Sequence, residues 1–151
     1  MKEAGAVDAL AAAISDPGVA RRVCAAGAWD GRLARLRELS PDVHTALGWR
    51  TLTTLIGCSR TRLRAPQWVR RAAYAHVPIR LGRLPVFADR IVPGAHAHGI
   101  KVVVWTVDDA PTMHRLLDAG VDGVISDRPD VLREVFLARG LWHPMGESVR
   151  F

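Results

Sequence analysis

Tyrosine occurs once in this chain, cysteine twice, and lysine only at Lys2 and Lys101. Cys24 and Cys58 stand alone in unlike surroundings, so neither a Cys-x-x-Cys metal or redox motif nor a disulfide is expected. Cys24 falls in a short apolar run and is expected to be buried as a small hydrophobe. No apolar stretch approaches the roughly 18 residues of a membrane-spanning helix. The N-terminus lacks the apolar core of a signal peptide. These absences predict a soluble cytoplasmic protein with no membrane span. With so little lysine, the net charge of +6 is carried almost wholly by arginine. The arginines are scattered, at Arg21-Arg22, Arg60 to Arg64 and Arg70-Arg71, and form no stripe interleaved with aromatics. That pattern argues against a nucleic-acid partner and for solvated helix faces. Internal repeats and low-complexity segments are also missing.

What is present is apolar. A hydrophobic content of 49% in 151 residues suffices for one domain with one core. The clearest signal lies in residues 100–139, IKVVVWTVDDAPTMHRLLDAGVDGVISDRPDVLREVFLAR. Lys101 to Val107 is a continuous apolar run with three adjacent valines, which predicts a strand buried on both faces, as in a parallel sheet. Asp108 and Asp109 offer an N-cap, and Pro111 suits a first helical turn. Met113, Leu116 and Leu117 mark one helical face, and Gly120 stops the helix. A short strand over Gly123 to Ser126 follows. Asp127 is expected to cap a last helix that starts at Pro129, carries Val131, Leu132, Val135 and Phe136, and ends at Gly140. Strand, helix, strand, helix with short loops is the unit of parallel α/β folds.

Trp105-Thr106-Val107-Asp108, followed by Leu116-Leu117-Asp118-Ala119-Gly120-Val121-Asp122-Gly123-Val124-Ile125-Ser126-Asp127-Arg128-Pro129-Asp130, resembles the last two βα units of glycerophosphodiester phosphodiesterases. Those units read roughly VWTVN and then LLDxGVDGIxTDRPD. Asp108 stands where Asn is usual, and Ser126 where Thr is usual. The resemblance implies a (β/α)8 TIM barrel that hydrolyses glycerophosphodiesters to glycerol 3-phosphate and an alcohol with a divalent cation, Mg or Ca. A complete barrel needs about 250 residues, or roughly 31 for each βα unit. The expected fold is therefore α/β, a partial TIM barrel of about five parallel strands with flanking helices, lacking the first three βα units. Residues 1–140 are expected to form the barrel portion and residues 141–151 a loose tail.

Earlier in the chain, Val7, Leu10, Ala11 and Ile14 form one helical face that Asp16-Pro17-Gly18 should end. Val23 to Ala26 reads as a strand. Leu33, Leu36 and Leu39 mark the next helix, and Val43 to Leu47 the next strand. A short helix over Thr51 to Ile56 precedes an Arg-rich connection, Gly57 to Pro66. Tyr74 to Ile79 is a strand whose Pro78 belongs at its end or at a bulge. Arg80 to Phe87 reads as a loop, and Asp89 to His98 as a helix despite Pro93-Gly94.

Barrel enzymes keep their chemistry at the C-terminal ends of strands. The rim residues are then Gly27 to Trp29, Gly48, Trp49, Pro78, Trp105, Thr106, Asp108 and Asp127. Trp105 is the best pocket candidate, since an aromatic at a strand end can wall a cavity and touch an alcohol group. Core packing is its other reading. Trp29 could supply a second aromatic or pack on the next helix. His76 stands where part of the resembling family has a Gln-Val-Pro pattern, and is a pocket candidate with a non-catalytic role. His44 falls near a strand start, away from the rim. His96 and His98 on a helix point about 200° apart and cannot share a metal. Asp122 is assigned to a turn.

The resemblance also implies a lysine beside the phosphate, and Lys2 falls at its place; an ordinary N-terminal lysine is its other reading. Phosphodiester hydrolysis needs a cation to offset phosphate charge, a base and an acid. In the resembling family these come from a His-Arg-Gly motif and from a Glu-x-Asp pair followed by a second His. None of these motifs occurs in the chain. No metal site is therefore expected in this chain alone. The leading expectation is an N-terminally truncated phosphodiesterase, inactive by itself, whose basic rim still attracts anionic phosphodiesters. The alternative is a non-catalytic half-barrel that self-associates through exposed sheet edges or binds a partner. A complete flavodoxin-like domain would need an acidic cluster or a Gly-rich phosphate loop at its first strand, and neither is visible.

Overall fold

The computed structural model describes residues 5–61, 63–81, 84–85 and 88–142. Helix α1 (Gly5–Ala13) is followed by α2 (Pro17–Ala20), β1 (Cys24–Ala25), α3 (Asp30–Leu39), β2 (His44–Thr45) and α4 (Trp49–Thr61). A 3-10 turn (Gln67–Arg71) leads to β3 (Tyr74–Pro78), β4 (Arg80–Leu81) and β5 (Leu84–Pro85). The chain continues through α5 (Ala88–His96), β6 (Lys101–Trp105), α6 (Ala110–Asp118), β7 (Gly123–Val124) and α7 (Pro129–Ala138). Strand β1 pairs parallel with β2, β3 with β6, and β6 with β7. A parallel bridge between Ala46 and Tyr74 joins the two groups, so the order across the sheet is β1-β2-β3-β6-β7. The bridge is held by Leu47 N–H donating to the Tyr74 carbonyl at 2.8 Å and by Ala73 N–H donating to that of Thr45 at 3.0 Å. Strands β4 and β5 make a small antiparallel hairpin where a loop was expected.

Helices cover one face of this sheet. Ala25, Thr45, Ala75, Val77, Val102 and Val104 point into them and are buried. Leu52, Leu55, Ile91, Ala95 and Met113 meet them from α4, α5 and α6. A smaller core of Val7, Ile14, Ala20, Leu36 and Val43 sits under β1. The other face, with Tyr74, His76, Lys101 and Val103, is only half-buried. The valine run is thus not buried on both faces. Strand alternation sends Val102 and Val104 one way and Val103 the other. Cys24 corrects a second expectation: it lies on the open face and is exposed, and both cysteines are free thiols. No helix of the described residues is long and apolar enough to cross a membrane.

Local chemistry explains most boundaries. Asp109, not Asp108, caps α6 by accepting Thr112 N–H at 2.8 Å, which holds its carboxyl below the usual range. Asp16-Pro17-Gly18 starts a helix as well as ending one: Asp16 accepts Val19 N–H at 3.0 Å, and Pro17 opens α2. Arg128, rather than Asp127, occupies the cap position of α7 and makes no side-chain cap bond. Asp127 is held instead through its own N–H, which donates to Asp108. Helix α4 runs to Thr61, well past the predicted end. Along it the Thr53, Thr54, Ser59 and Thr61 hydroxyls donate to carbonyls one turn back, which gives these polar groups partners inside the helix. Within the predicted tail, Trp142 packs under the Arg133 guanidinium of α7, 5.7 Å from the ring centroid.

Two glycines give opposite predictions. Gly57 is exposed inside α4, with nothing within 4 Å of an added Cβ. Gly57→Ala should raise stability by roughly 0.5–1 kcal/mol, or roughly 1–4 °C in melting temperature. At Gly48 a Cβ would stand 2.5 Å from the Asp30 carboxyl and 2.8 Å from its backbone nitrogen. Gly48→Ala should cost about 1–3 kcal/mol. Thermal melts of both variants check the pair, and equal shifts of one sign would refute the packing described.

Candidate functional site

The parallel strands all end at one rim, where the βα loops gather. A pocket of about 430 Å³ opens there, walled by Leu47, Trp49, His76, Trp105, Thr106 and Ile125, with Ala26 to Ala28 along one side. Backbone pairing sets its geometry. Pro78 lies opposite Trp105 at the ends of β3 and β6, and Ile79 N–H donates to the Trp105 carbonyl at 2.8 Å. Two residues back, His76 stands opposite Val103 on the open face. The Trp105 side chain is 39% exposed and that of Trp49 42%, so both indoles present surface to a ligand. His76 is half-buried and meets Tyr74 edge-on at 6.4 Å; Tyr74 meets His44 in the same way at 6.1 Å. Burial pushes the His76 imidazole below its ordinary pKa, so the ring is neutral at pH 7 and can both donate and accept a hydrogen bond.

Carboxylates brace the rim without lining the pocket. Asp30, at the start of α3, accepts Arg50 N–H at 3.1 Å and Thr51 N–H at 3.2 Å, together with the Thr51 hydroxyl. It thereby caps the neighbouring helix α4, while Trp49 N–H donates to the Ala28 carbonyl at 2.9 Å. Asp108 does the same one step round the rim. It accepts the Ser126 hydroxyl at 3.0 Å and Asp127 N–H at 2.8 Å, tying the loop after β6 to the loop after β7. Arg128 forks onto Asp130 at 3.0 and 2.7 Å, and this bond takes the Asp130 carboxyl down to about 2.

Trp105 and His76, both expected at a substrate pocket, line this cavity. Trp29 does not line it. That ring precedes α3, is 61% exposed and carries the Arg32 guanidinium 5.7 Å from its centroid. Lys2 lies outside the described residues. Trp49 was predicted for the rim but not for the pocket. The signal was Gly48-Trp49 directly after a strand, in the same position as Gly27-Ala28-Trp29 after the one before. His96 caught the one contact its neighbourhood in sequence could not reveal: its Nε2 lies 2.8 Å from Asp122, which also accepts Val102 N–H at 2.7 Å. Asp122 therefore joins α5 to β6 rather than closing a turn.

Hard divalent cations take oxygen ligands, carboxylates above all. The lining of this pocket is indole, imidazole, hydroxyl and aliphatic, and among the described residues no three His, Cys, Asp or Glu side chains gather in a group able to hold a metal. These residues do not form a cation site and instead make a wall suited to the organic part of a ligand.

The model of the glycerophosphoryl diester phosphodiesterase family matches residues 6–131. A Mycobacterium tuberculosis protein named probable glycerophosphodiester phosphodiesterase 2 is 41% identical over 113 residues, which cover 74% of this chain and 43% of that protein. A glycerophosphodiester phosphodiesterase of Caldanaerobacter subterraneus is 38% identical over 64 residues, or 42% of this chain and 25% of its own length. A solved structure from Silicibacter pomeroyi named for the same family superposes with a TM-score of 0.67 at 23% identity, covering 93% of this chain and 46% of that one. The chain thus spans less than half the length of these relatives. The family model's match runs from before β1 to beyond β7, the M. tuberculosis relative agrees with it, and the chain belongs to the glycerophosphoryl diester phosphodiesterase family.

Proposed function

We propose that this chain supplies the substrate-binding wall of a glycerophosphodiester phosphodiesterase, as the later part of a TIM barrel. The convergence of Trp105 and His76 in one rim pocket carries this reading. The indole of Trp105 lies against the glycerol or the alcohol carbons, and neutral His76 hydrogen-bonds a hydroxyl or ester oxygen. Trp49 closes the opposite side. The oxygen ligands that a cation requires fall to groups outside this pocket, since its described lining residues include no carboxylate. A second reading, self-association without catalysis, is favoured by the half-buried face of the sheet and by edges of β1 and β7 that have no pairing among the described residues.

Binding of sn-glycero-3-phosphocholine, followed by tryptophan fluorescence, should weaken roughly tenfold in Trp105→Ala, about 1.4 kcal/mol. Unchanged affinity would refute the pocket assignment. Because folding depresses the His76 pKa, the unfolded chain binds that proton more readily. Stability should therefore fall as pH drops below about 6.5, and His76→Gln should flatten that fall in denaturant titrations. Size exclusion separates the two readings. A dimer or larger assembly without chelator-sensitive hydrolysis supports the second, and restoration of metal-dependent turnover by adding the earlier barrel half of the M. tuberculosis relative supports the first.

A further inference from the structure

A second cavity, of about 700 Å³, lies on the helical side of the sheet between the later part of α4 and α5. Its chemistry differs from that of the rim pocket. Arg60, Arg64 and Arg90 line it together with His98, above a floor that includes Leu55 and Ala97. No carboxylate is among its described lining residues, and none of the three guanidiniums forms an ion pair with a described residue. The Nδ1 atom of His98 is buried with no hydrogen-bond partner among the described residues.

Solvated arginines at helix ends are ordinary, because cations favour C-termini. Magnitudes show that this does not account for the group. Arg60 and Arg64 stand at the end of α4, which offers about −0.5 of a charge, but Arg90 lies in the first turn of α5, where the dipole is positive. A surplus of at least about +2 remains on the three guanidiniums. Like charges gathered round a concave, partly apolar space raise the local potential and concentrate anions. Guanidinium forks match phosphate oxygens in pairs. The volume is within the range of small-molecule sites.

We propose that this cavity binds a small phosphate-bearing anion with two or more negative charges, separately from the rim pocket. The separation follows from topology. Helix α5 ends just before β6 begins, whereas Trp105 is the last residue of β6, roughly 13 Å further along the strand. A ligand between α4 and α5 is thus held on the covered side of the sheet, near the strand starts. This inference is independent of the phosphodiesterase reading.

The test is isothermal titration of the full chain with inorganic pyrophosphate at about 0.15 M salt, where diffuse attraction is screened. Saturable binding of one pyrophosphate per chain is expected. Arg60→Ser with Arg64→Ser should weaken it roughly tenfold or more. The charge-matched pair Arg22→Ser with Arg70→Ser should change it less than about twofold, because both arginines are exposed and outside the cavity. Trp105→Ala should leave it unaltered. Arg90→Ser, on the other helix, should weaken binding as well and keeps the test open if the first double variant folds poorly. Absence of saturable binding, or an equal loss in the charge-matched pair, would overturn the proposal.

Discussion

Five consecutive register pairs between β3 and β6, from Tyr74↔Lys101 to Pro78↔Trp105, set where the other elements can go. Parallel pairing keeps both strands pointing the same way, so their ends share one rim. The same register alternates the side chains in step. Ala75, Val77, Val102 and Val104 form one apolar face for α4, α5 and α6, and His76 with Trp105 is left for the other. A one-residue slip would exchange the two faces. It would bury an imidazole and an indole under the helices and turn the valines outward. The cost of that exchange locks the pocket in place.

The described carboxylates serve the backbone more than they serve chemistry. Asp16 and Asp109 cap their own helices. Asp30 caps a helix in the next βα unit, Asp108 ties two rim loops, and Asp122 joins the end of α5 to the start of β6. Each satisfies a backbone N–H that would otherwise need water, in loops too short to supply a partner of their own. The consequence is a rim made rigid by aspartates but walled by tryptophan, histidine and aliphatic groups.

Positive charge is divided differently. Arg21, Arg35, Arg128 and Arg139 are paired with aspartates on the surface, where such pairs contribute little to stability. Arg60, Arg64 and Arg90 are brought together by the packing of α4 on α5. In sequence they look like one more solvated patch, because Arg90 is thirty residues from Arg60 and belongs to a different helix.

The parallel α/β class, the strand that starts at Lys101 (expected to Val107, found to Trp105), the stops at Gly120 and Gly140 and the family were all legible in the residues themselves. Each rests on local physics: β-branched runs, apolar periodicity, caps and glycines that take positive φ at helix ends. What lay beyond reach depends on partners distant in the chain. The cap on α4 comes from Asp30, the partner of His96 is Asp122, and the extent of α4 was hidden by a polar stretch whose hydroxyls bond to their own helix. Trp29 and Trp49 carry the same sequence signal, a tryptophan shortly after a strand. Only the way their loops pack decides that Trp49 faces the pocket while Trp29 turns to Arg32. Sequence by itself determined which segments become strands and helices, because those choices are made within a few residues. Tertiary structure alone decided which side chains share a cavity, because that depends on register and packing between segments that sequence order keeps apart.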